Sequence, residues 1–228
     1  MTITQTVYEF PSFSLEKQLF YVTGAALEGG YTSGGARIVT PQPGGFGMLN
    51  VTPALQTNEW NYPLSSWLMS KTNGQILRIK LAPTPQICFS LAARSAPGIP
   101  WDTELHWDSE YLWDADLSGF YVATALQGST TLQVDMSTFG RILQSGHVIG
   151  HKNSTYLVDD VSYTGGNIAT IKVTPPLRAN VAIGDVAFFR PFFTGMITNP
   201  TEVITPYDAG NNGTMQIPKI LLSEVILP

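Results

Sequence analysis

The stretch STYLVDDVSYTGGNIATIKVTPPL, residues 154–177, decides the fold class. It contains two runs rich in β-branched and aromatic residues, which is the composition of β-strands. The segment Thr164–Asn167 separates the runs, and its Gly and Asn residues accept the positive φ angles of tight hairpin turns. Pro175 and Pro176 end the second run, because proline donates no hydrogen bond to a sheet. The stretch therefore predicts a β-hairpin.

The rest of the chain repeats this pattern of short strand-like runs between segments rich in Gly, Pro and Asn, which predict turns or loops. One helix is predicted, in Pro63–Lys71, with Pro63 in its first turn and Leu64, Trp67 and Leu68 at helical spacing. The other runs are YVTGA, ARIVT, GMLNVTPAL, ILRIKLA, ICFSLAA, FYVATAL, TTLQVDM and VAFFRPFF, and the other separating segments are LEGGYTSGG, TPQPGGFG, SKTNGQ and DAGNNG. The chain is predicted to be all-β.

The distribution of these runs predicts two domains. Residues 119–195 contain closely spaced strands, residues 196–213 resemble a loop or linker, and the last segment resembles a strand again. A final strand needs a partner edge, which the first part of the chain can supply. We therefore predict a discontinuous β-sandwich-like domain of residues 1–118 and 196–228, with one short helix. Residues 119–195 would form a smaller inserted β-barrel-like module.

The amino-acid composition narrows the classes of function that the protein could have. Hydrophobic residues make up 43% of the 228 residues and charged residues only 13%, whereas an average soluble domain has roughly 25% charged residues. A surface with so few charges indicates contact with neighbouring subunits, because charge keeps an isolated surface soluble. The net charge of −5 and the lack of Lys/Arg clusters exclude a nucleic-acid groove.

The location of the protein is predicted from its first residues and its hydropathy. MTITQTVYEF lacks the basic start and apolar run of a signal peptide. No stretch reaches the roughly 20 apolar residues that cross a bilayer. The single cysteine, Cys88, cannot form an internal disulfide. We expect a protein made in a cytoplasm, with no membrane partner.

Residues 140–191 contain five recurring motifs, which are Gln144–Ile149, Tyr156–Val158, Gly165–Asn167, Pro175–Arg178 and Gly184-Asp185. With these motifs the segment resembles a module found in tail proteins of long-tailed bacteriophages and gene transfer agents. The upstream segment Leu64–Ile79, with its glycine at Gly74, is similar to the same family, but Thr72, Asn73 and Gln75 stand where basic residues are usual. Ser145-Gly146-His147 also departs from the Gly-Asp of many relatives.

The resemblance implies a structural virion protein of the distal-tail or minor-tail type. Such proteins form rings, usually hexamers, that join the tail tube to the tip. Partners would be copies of the same chain and other tail proteins of the tube, tip or hub, and the protein would reside in the virion tail after synthesis in the bacterial cytoplasm. On this interpretation the protein is not an enzyme and has no cofactor, no metal and no catalytic residues.

A second notable stretch is PWDTELHWDSEYLWDADLSG, residues 100–119, in which Trp-Asp recurs every six residues. Side chains on a strand alternate between faces, so Trp101, Trp107, Tyr111 and Trp113 would share one face and the acids the other. A helix would spread the tryptophans around its axis. We predict that these four aromatic residues form an interface or a core, with the acidic face in water.

Three alternatives for this segment remain open. The acidic face could bind a cation, although the Asp-x-Asp-x-Asp-Gly spacing of a calcium loop is absent. Exposed tryptophans could stack on sugar rings, which would make the protein a receptor- or carbohydrate-binding β-sandwich module. Two carboxylates could serve glycoside hydrolysis, although any acidic strand offers such pairs.

The remaining candidate residues have simpler interpretations. His147 and His151 have the i, i+4 spacing of a zinc helix, but no Glu lies between them and Gly150 disfavours a helix, so we interpret them as turn residues. His106 is expected to hydrogen-bond a neighbour. Cys88 is expected to be a small buried hydrophobe.

Overall fold

The computed structural model describes residues 6–11, 15–31, 37–54, 58–82, 117–203 and 219–227. These residues form twelve strands and two short helices, which confirms the predicted all-β class. The elements are β1 (Val7–Glu9), β2 (Leu15–Tyr31), β3 (Arg37–Pro53), α1 (Asn58–Lys71), β4 (Ile76–Lys80), β5 (Ser118–Tyr121), β6 (Thr131–Asp135), β7 (Val148–His151), β8 (Ser154–Tyr163), β9 (Ile168–Thr174), β10 (Val186–Phe188), β11 (Phe192–Ile197), α2 (Pro200–Val203) and β12 (Ile220–Glu224).

The chain divides into two compact units. Unit 1 comprises Met1–Lys80 and Phe192–Pro228, and unit 2 comprises Leu81–Pro191. The sequence placed residues up to 118 in the first domain and residues 192–195 in the inserted module. The structure instead assigns the described residues 81, 82, 117 and 118 to unit 2 and residues 192–195 to β11. This strand pairs with β4 from Phe192↔Lys80 to Gly195↔Leu77, so it belongs to the sheet of unit 1.

Unit 1 contains one six-stranded sheet, in the order β1-β4-β11-β12-β3-β2, rather than the two facing sheets of a sandwich. All neighbouring strands are antiparallel except β1 and β4. Cross-strand partners lie on the same face of a sheet, and one face, here called the inner face, is apolar and buried. Its buried residues are Leu49, Val51, Leu77, Ile79, Phe193, Ile197, Ile220 and Leu222.

The sheet curls strongly around its inner face. The rings of Phe20 on β2 and Phe193 on β11 are 5.9 Å apart, although β12 and β3 lie between these strands in the sheet. Gln18 Nε2 likewise donates to the Lys80 carbonyl on β4, at 3.2 Å. Gly47 helps to make this curl possible, because a Cβ there would lie 3.0 Å from the Phe20 ring and 3.2 Å from the Phe193 ring.

The helix of unit 1 begins earlier than the sequence predicted. It spans Asn58–Lys71, so Pro63 lies inside it rather than in its first turn. Leu64 and Leu68 are buried, and Trp67 makes an edge-to-face contact with Phe10 at 5.5 Å. The Thr72–Gly74 turn ends this helix, with Gly74 at φ +77°, instead of joining two strands.

A second, unpredicted helical turn lies where the sequence indicated a linker. The α2 segment follows Asn199, whose carbonyl accepts from the backbone N–H groups of Glu202 and Val203 at 3.1 and 3.3 Å. The Asn199 side chain accepts from the Leu221 N–H at 2.8 Å and donates to the Lys219 carbonyl. These bonds tie α2 to the start of β12.

Unit 2 contains a closed barrel with the strand order β10-β5-β6-β9-β8-β7, in agreement with the predicted barrel-like module. The predicted hairpin of residues 154–177 forms β8 and β9, and the turn glycines Gly165 and Gly166 have φ values of +51° and +70°. Alternate residues of each strand point inward, as in other small barrels. The core is apolar and includes Tyr121, Leu132, Val134, Tyr156, Val158, Ile171 and Phe189.

Candidate functional site

The aromatic residues singled out in the sequence lie outside the described residues. Trp101, Trp107, Tyr111 and Trp113, together with the acids around them, His106 and Cys88, fall in the gap between residues 82 and 117. The interface, cation, sugar and glycosidase interpretations of this segment stay predictions. The candidate sites considered below belong to the two units separately.

The two histidines of the HVIGH segment are inside the barrel. His147 precedes β7 and His151 ends it, and both are buried, at 5% and 2% exposure. A strand rises about 3.3 Å per residue, so four residues separate them by about 13 Å, too far to share one metal ion. No group of three or more His, Cys, Asp or Glu residues in the described part of the chain could hold a metal.

Each histidine has its own structural partners. His147 Nδ1 accepts a hydrogen bond from the Gln144 N–H at 3.3 Å, which closes the turn before β7. His151 Nε2 lies 3.1 Å from Asp185 Oδ2, and the same oxygen accepts from the Ala182 N–H at 2.9 Å. His151 therefore links β7 to the turn before β10. His147 lies at a turn, as the sequence predicted, whereas His151 belongs to a strand.

Tyr121 completes the polar group around His151. Its ring packs edge-on against the imidazole at 5.5 Å, and its hydroxyl donates to the Gly150 carbonyl at 3.2 Å. Burial raises the pKa of Tyr121 far above its ordinary value. Burial also lowers the pKa of His151, more strongly than the hydrogen bond to Asp185 raises it. The pKa of Asp185 is lowered first by the Ala182 N–H and then by His151.

At neutral pH this arrangement is a buried neutral imidazole that donates to a partly exposed carboxylate in the turn before β10. A hydrolase would need a nucleophile beside the free imidazole nitrogen, but His151 Nδ1 is buried and has no hydrogen-bond partner in the described part of the protein. The geometry fits a structural link that holds β7 against β10.

The most unusual feature of unit 1 is the length of β2 and β3. Each has 17 residues, roughly three times the usual strand length of 5–6 residues. Strand β12 pairs with β3 only from Met48 to Val51. The two strands continue to pair with each other from Ala25↔Gln42 to Tyr31↔Arg37. We call this two-stranded part, residues 25–31 and 37–44, the hairpin extension.

The second unusual feature is the face of the sheet opposite the core. Tyr21, Met48, Ser223 and Met196 form a row of direct cross-strand partners. Leu19 and Leu221 flank Asn50 in the next row. We call this surface the outer face. Leu19 on β2 and Met196 on β11 are 45% and 37% exposed, whereas Asn50, between Leu19 and Leu221, is buried, at 8% exposure. Exposed apolar side chains can contribute to an interaction site.

The sequence did not reveal either feature. It predicted loops at LEGGYTSGG and TPQPGGFG, because Gly and Pro usually interrupt strands. In the structure β2 continues through Gly29 and Gly30, and β3 continues through Pro41 and Pro43. Proline is compatible with a strand that lacks a neighbour on one side. That exception is the signal that could have indicated an edge.

Comparison with known proteins gives no identification, since neither a protein-family model nor a curated protein matches the chain. Among the described residues, no helix is both long and apolar enough to cross a membrane.

Proposed function

We propose that this chain is a structural protein of a bacteriophage tail, which forms a ring near the distal end of the tail and joins the tail tube to the tip. The motifs of residues 140–191 support the tail origin. The features of unit 1 support the assembly role. The partners would be identical copies, six in the usual ring, and the tail proteins above and below. Neither nucleic acid nor a membrane is a proposed partner.

The observation that carries the assembly role is the hairpin extension. An isolated two-stranded ribbon is at best marginally stable in water, and a third strand or a packing surface is needed to hold it. For the residues of β3 before Met48, β12 does not supply a third strand. Residues 25–44 contain one acid and one base, so the segment has little charge to keep it solvated. We expect another molecule to cover it.

Identical copies are the simplest partner for the extension. A head-to-tail contact joins two different surfaces of the same chain, and its repetition closes a ring when the rotation between copies allows it. The extension and the outer face, with Leu19 and Met196 exposed, provide two such surfaces. In the proposed ring the extension of one copy packs on the outer face of the next.

Native mass spectrometry of the full chain tests the assembly role. We expect a species with several times the 24.8 kDa mass of one chain. Removal of residues 25–44 should leave single chains that are still folded. The deletion joins Gly24 to Gly45, and Gly-Gly suits a two-residue hairpin turn between the paired Thr23 and Phe46. The β3–β12 pairing is untouched.

Circular dichroism of the deletion variant is the control for folding. A folded variant that assembles like the wild type would contradict the role of the extension. For the tail location, an antibody against this chain should label one end of the tail of particles from the same source in electron micrographs. Absence of the chain from purified particles would contradict the tail origin.

A further inference from the structure

Strand β2 is the longer of the two terminal strands in the described sheet of unit 1, with 17 residues against three in β1. In the described sheet β2 has β3 on one side and an open edge on the other. Natural sheets usually protect such edges with proline, charge or short strands. Strand β3 has two prolines in the extension, Pro41 and Pro43, but β2 has none from Leu15 to Tyr31. The hairpin therefore has one protected side and one side that can accept a strand.

The direction of the β2 backbone groups follows from the bond made by Gly47. Its N–H donates to Glu224 Oε2 at 2.9 Å, on the side of β3 away from β2. Gly47 is the register partner of Val22. In an antiparallel ladder, the backbone N–H and C=O groups of two register partners either face each other or both point away from each other. Because the Gly47 N–H points away from β2, the groups of Val22 point away from β3. The N–H and C=O groups of Val22, and of Gly24 two residues later, therefore point to the open edge.

The sequence of β2 is complementary to itself in antiparallel orientation. The stretch from Gln18 to Glu28 is centred on Thr23. The register shifts between Thr23 and Ala25, but the extra residues lie on β3, because two steps on β2 match four on β3, from Phe46 to Gln42. Pairing with a second copy about this residue places the bulky residues 20–22 opposite the smaller residues 24–26, and Leu19 opposite Leu27. Glu28 would lie opposite Gln18, so no like charges meet. The opposed residues are Val22–Gly24, Tyr21–Ala25, Phe20–Ala26, Leu19–Leu27 and Gln18–Glu28.

We propose that two copies of this chain join their sheets by antiparallel pairing of their β2 edges, about a two-fold axis at Thr23. This contact is isologous, since each copy contributes the same residues. It is different from the head-to-tail contact of a ring. It uses the edge of the hairpin, whereas the ring contact uses its faces, so one particle can contain both. The inference does not depend on the tail origin.

Substitution of Gly24 tests the pairing of the edges. Gly24→Pro removes an outward N–H, and there is space for a Cβ at this position, since it would meet nothing within 4 Å. Gly24→Ala adds the Cβ but keeps the N–H, and is the matched control. In native mass spectrometry at equal concentrations, the wild type and Gly24→Ala should contain even numbers of copies. Gly24→Pro should give species of half that mass.

Cross-linking provides a second test that does not depend on proline. Thr23 is the residue that would lie opposite its own copy, at a non-hydrogen-bonded pair with Cα atoms about 4.5 Å apart, within disulfide range. Thr23→Cys in a Cys88→Ser background should form a covalent dimer under mild oxidation. Gly24→Cys in the same background should not, because its Cα atoms would be about 8 Å apart.

A Gly24→Pro variant with the wild-type mass, or equal cross-linking of the two cysteine variants, overturns the two-fold contact. Rings that form without β2–β2 pairing also overturn the two-fold contact, and they leave the proposed function intact. Pairs that never build a ring support the two-fold contact and contradict the ring.

Discussion

At the scale of single residues, Lys152 has a backbone conformation that its side chain disfavours. Lys152 and Asn153 form the two-residue loop between the paired residues His151 and Ser154, and Lys152 has φ +53°. A residue with a Cβ in the left-handed region costs about 1–2 kcal/mol, which glycine avoids. Tight hairpin loops favour glycine at such positions for this reason.

We predict that Lys152→Gly stabilises the barrel. Relief of the backbone strain exceeds the entropy that glycine loses on folding, about 0.5–1 kcal/mol, so the unfolding free energy should rise by about 0.5–1 kcal/mol. Urea denaturation measures it. Lys152→Ala removes the same charge but keeps the Cβ, so it should show no gain. Equal gains for both variants would indicate a charge effect instead.

The two buried histidines predict how stability depends on pH. Burial lowers the pKa of both His147 and His151 below 6.5. Above pH 6.5 the imidazoles are neutral in the folded and unfolded states, so their contribution to stability is complete. As the pH falls below 6.5, the unfolded chain binds protons before the folded chain does, and the unfolding free energy falls. The lowered pKa of Asp185 acts only at more acidic pH.

We therefore expect the unfolding free energy to fall between pH 7 and pH 5, measured by urea denaturation at several pH values. The double variant His147→Asn/His151→Gln should show a flatter profile. Asn can still accept from the Gln144 N–H, and Gln can still donate to Asp185. An unchanged slope in the double variant would assign the pH dependence to other groups.

At the scale of the elements, glycines on the strands determine how closely neighbouring segments approach. A Cβ on Gly195 of β11 would lie 2.5 Å from the Ser223 carbonyl oxygen of β12 and 2.6 Å from the Phe193 ring. A backbone atom cannot move aside as a flexible side chain can. Glycine at this position is therefore part of what allows the sheet to curl.

We predict that Gly195→Ala destabilises the protein by about 1–3 kcal/mol, the usual cost of an added methyl group without space. Thermal and urea unfolding would measure the loss. Gly24→Ala, on an open strand with nothing within 4 Å of the new Cβ, should change stability by less than about 0.5 kcal/mol. Similar losses in both variants would exclude crowding as the cause.

The elements also show which local signals sequence analysis could use. The β8–β9 hairpin was predictable because its strand composition and its Gly165-Gly166 turn agree. The lengths of β2 and β3 were not predictable, because their Gly and Pro residues resemble the residues of loops. The start of α1 was missed because Pro63 was expected in the first turn, where proline is best tolerated.

At the scale of the whole molecule, the barrel unit is inserted at a point where two strands of the sheet are neighbours. Lys80 at the end of β4 pairs with Phe192 at the start of β11. The Leu81 N–H then donates to the Pro191 carbonyl at 2.9 Å, so the ladder continues by one more bond. The two ends of the insertion are therefore close enough to be joined by a short hairpin turn.

We predict that unit 1 folds without the barrel. Replacement of Leu81–Pro191 by Asn-Gly would convert β4 and β11 into an ordinary hairpin with a favourable two-residue loop. The variant should give a β-type circular dichroism spectrum and unfold cooperatively. An unfolded product would show that the sheet needs the barrel unit in order to form.

The candidate site could be predicted only in its general character. Low charge and many apolar residues indicated contact with other subunits, which stays a prediction; the structure shows that Leu19 and Met196 on the outer face are exposed. Its location depends on which strands are neighbours, and β2, β3, β11 and β12 come from distant parts of the chain. Cross-strand register of that kind is not visible in a single sequence.

Pro41 and Pro43 have a consequence for how large an aggregate of this protein can become. If both edges of the hairpin could pair with other strands, each added chain would expose another unpaired edge, and addition could continue until fibrils form. The prolines occupy the β3 side. In the proposed dimer, edge-by-edge addition would therefore stop once the β2 edge is paired.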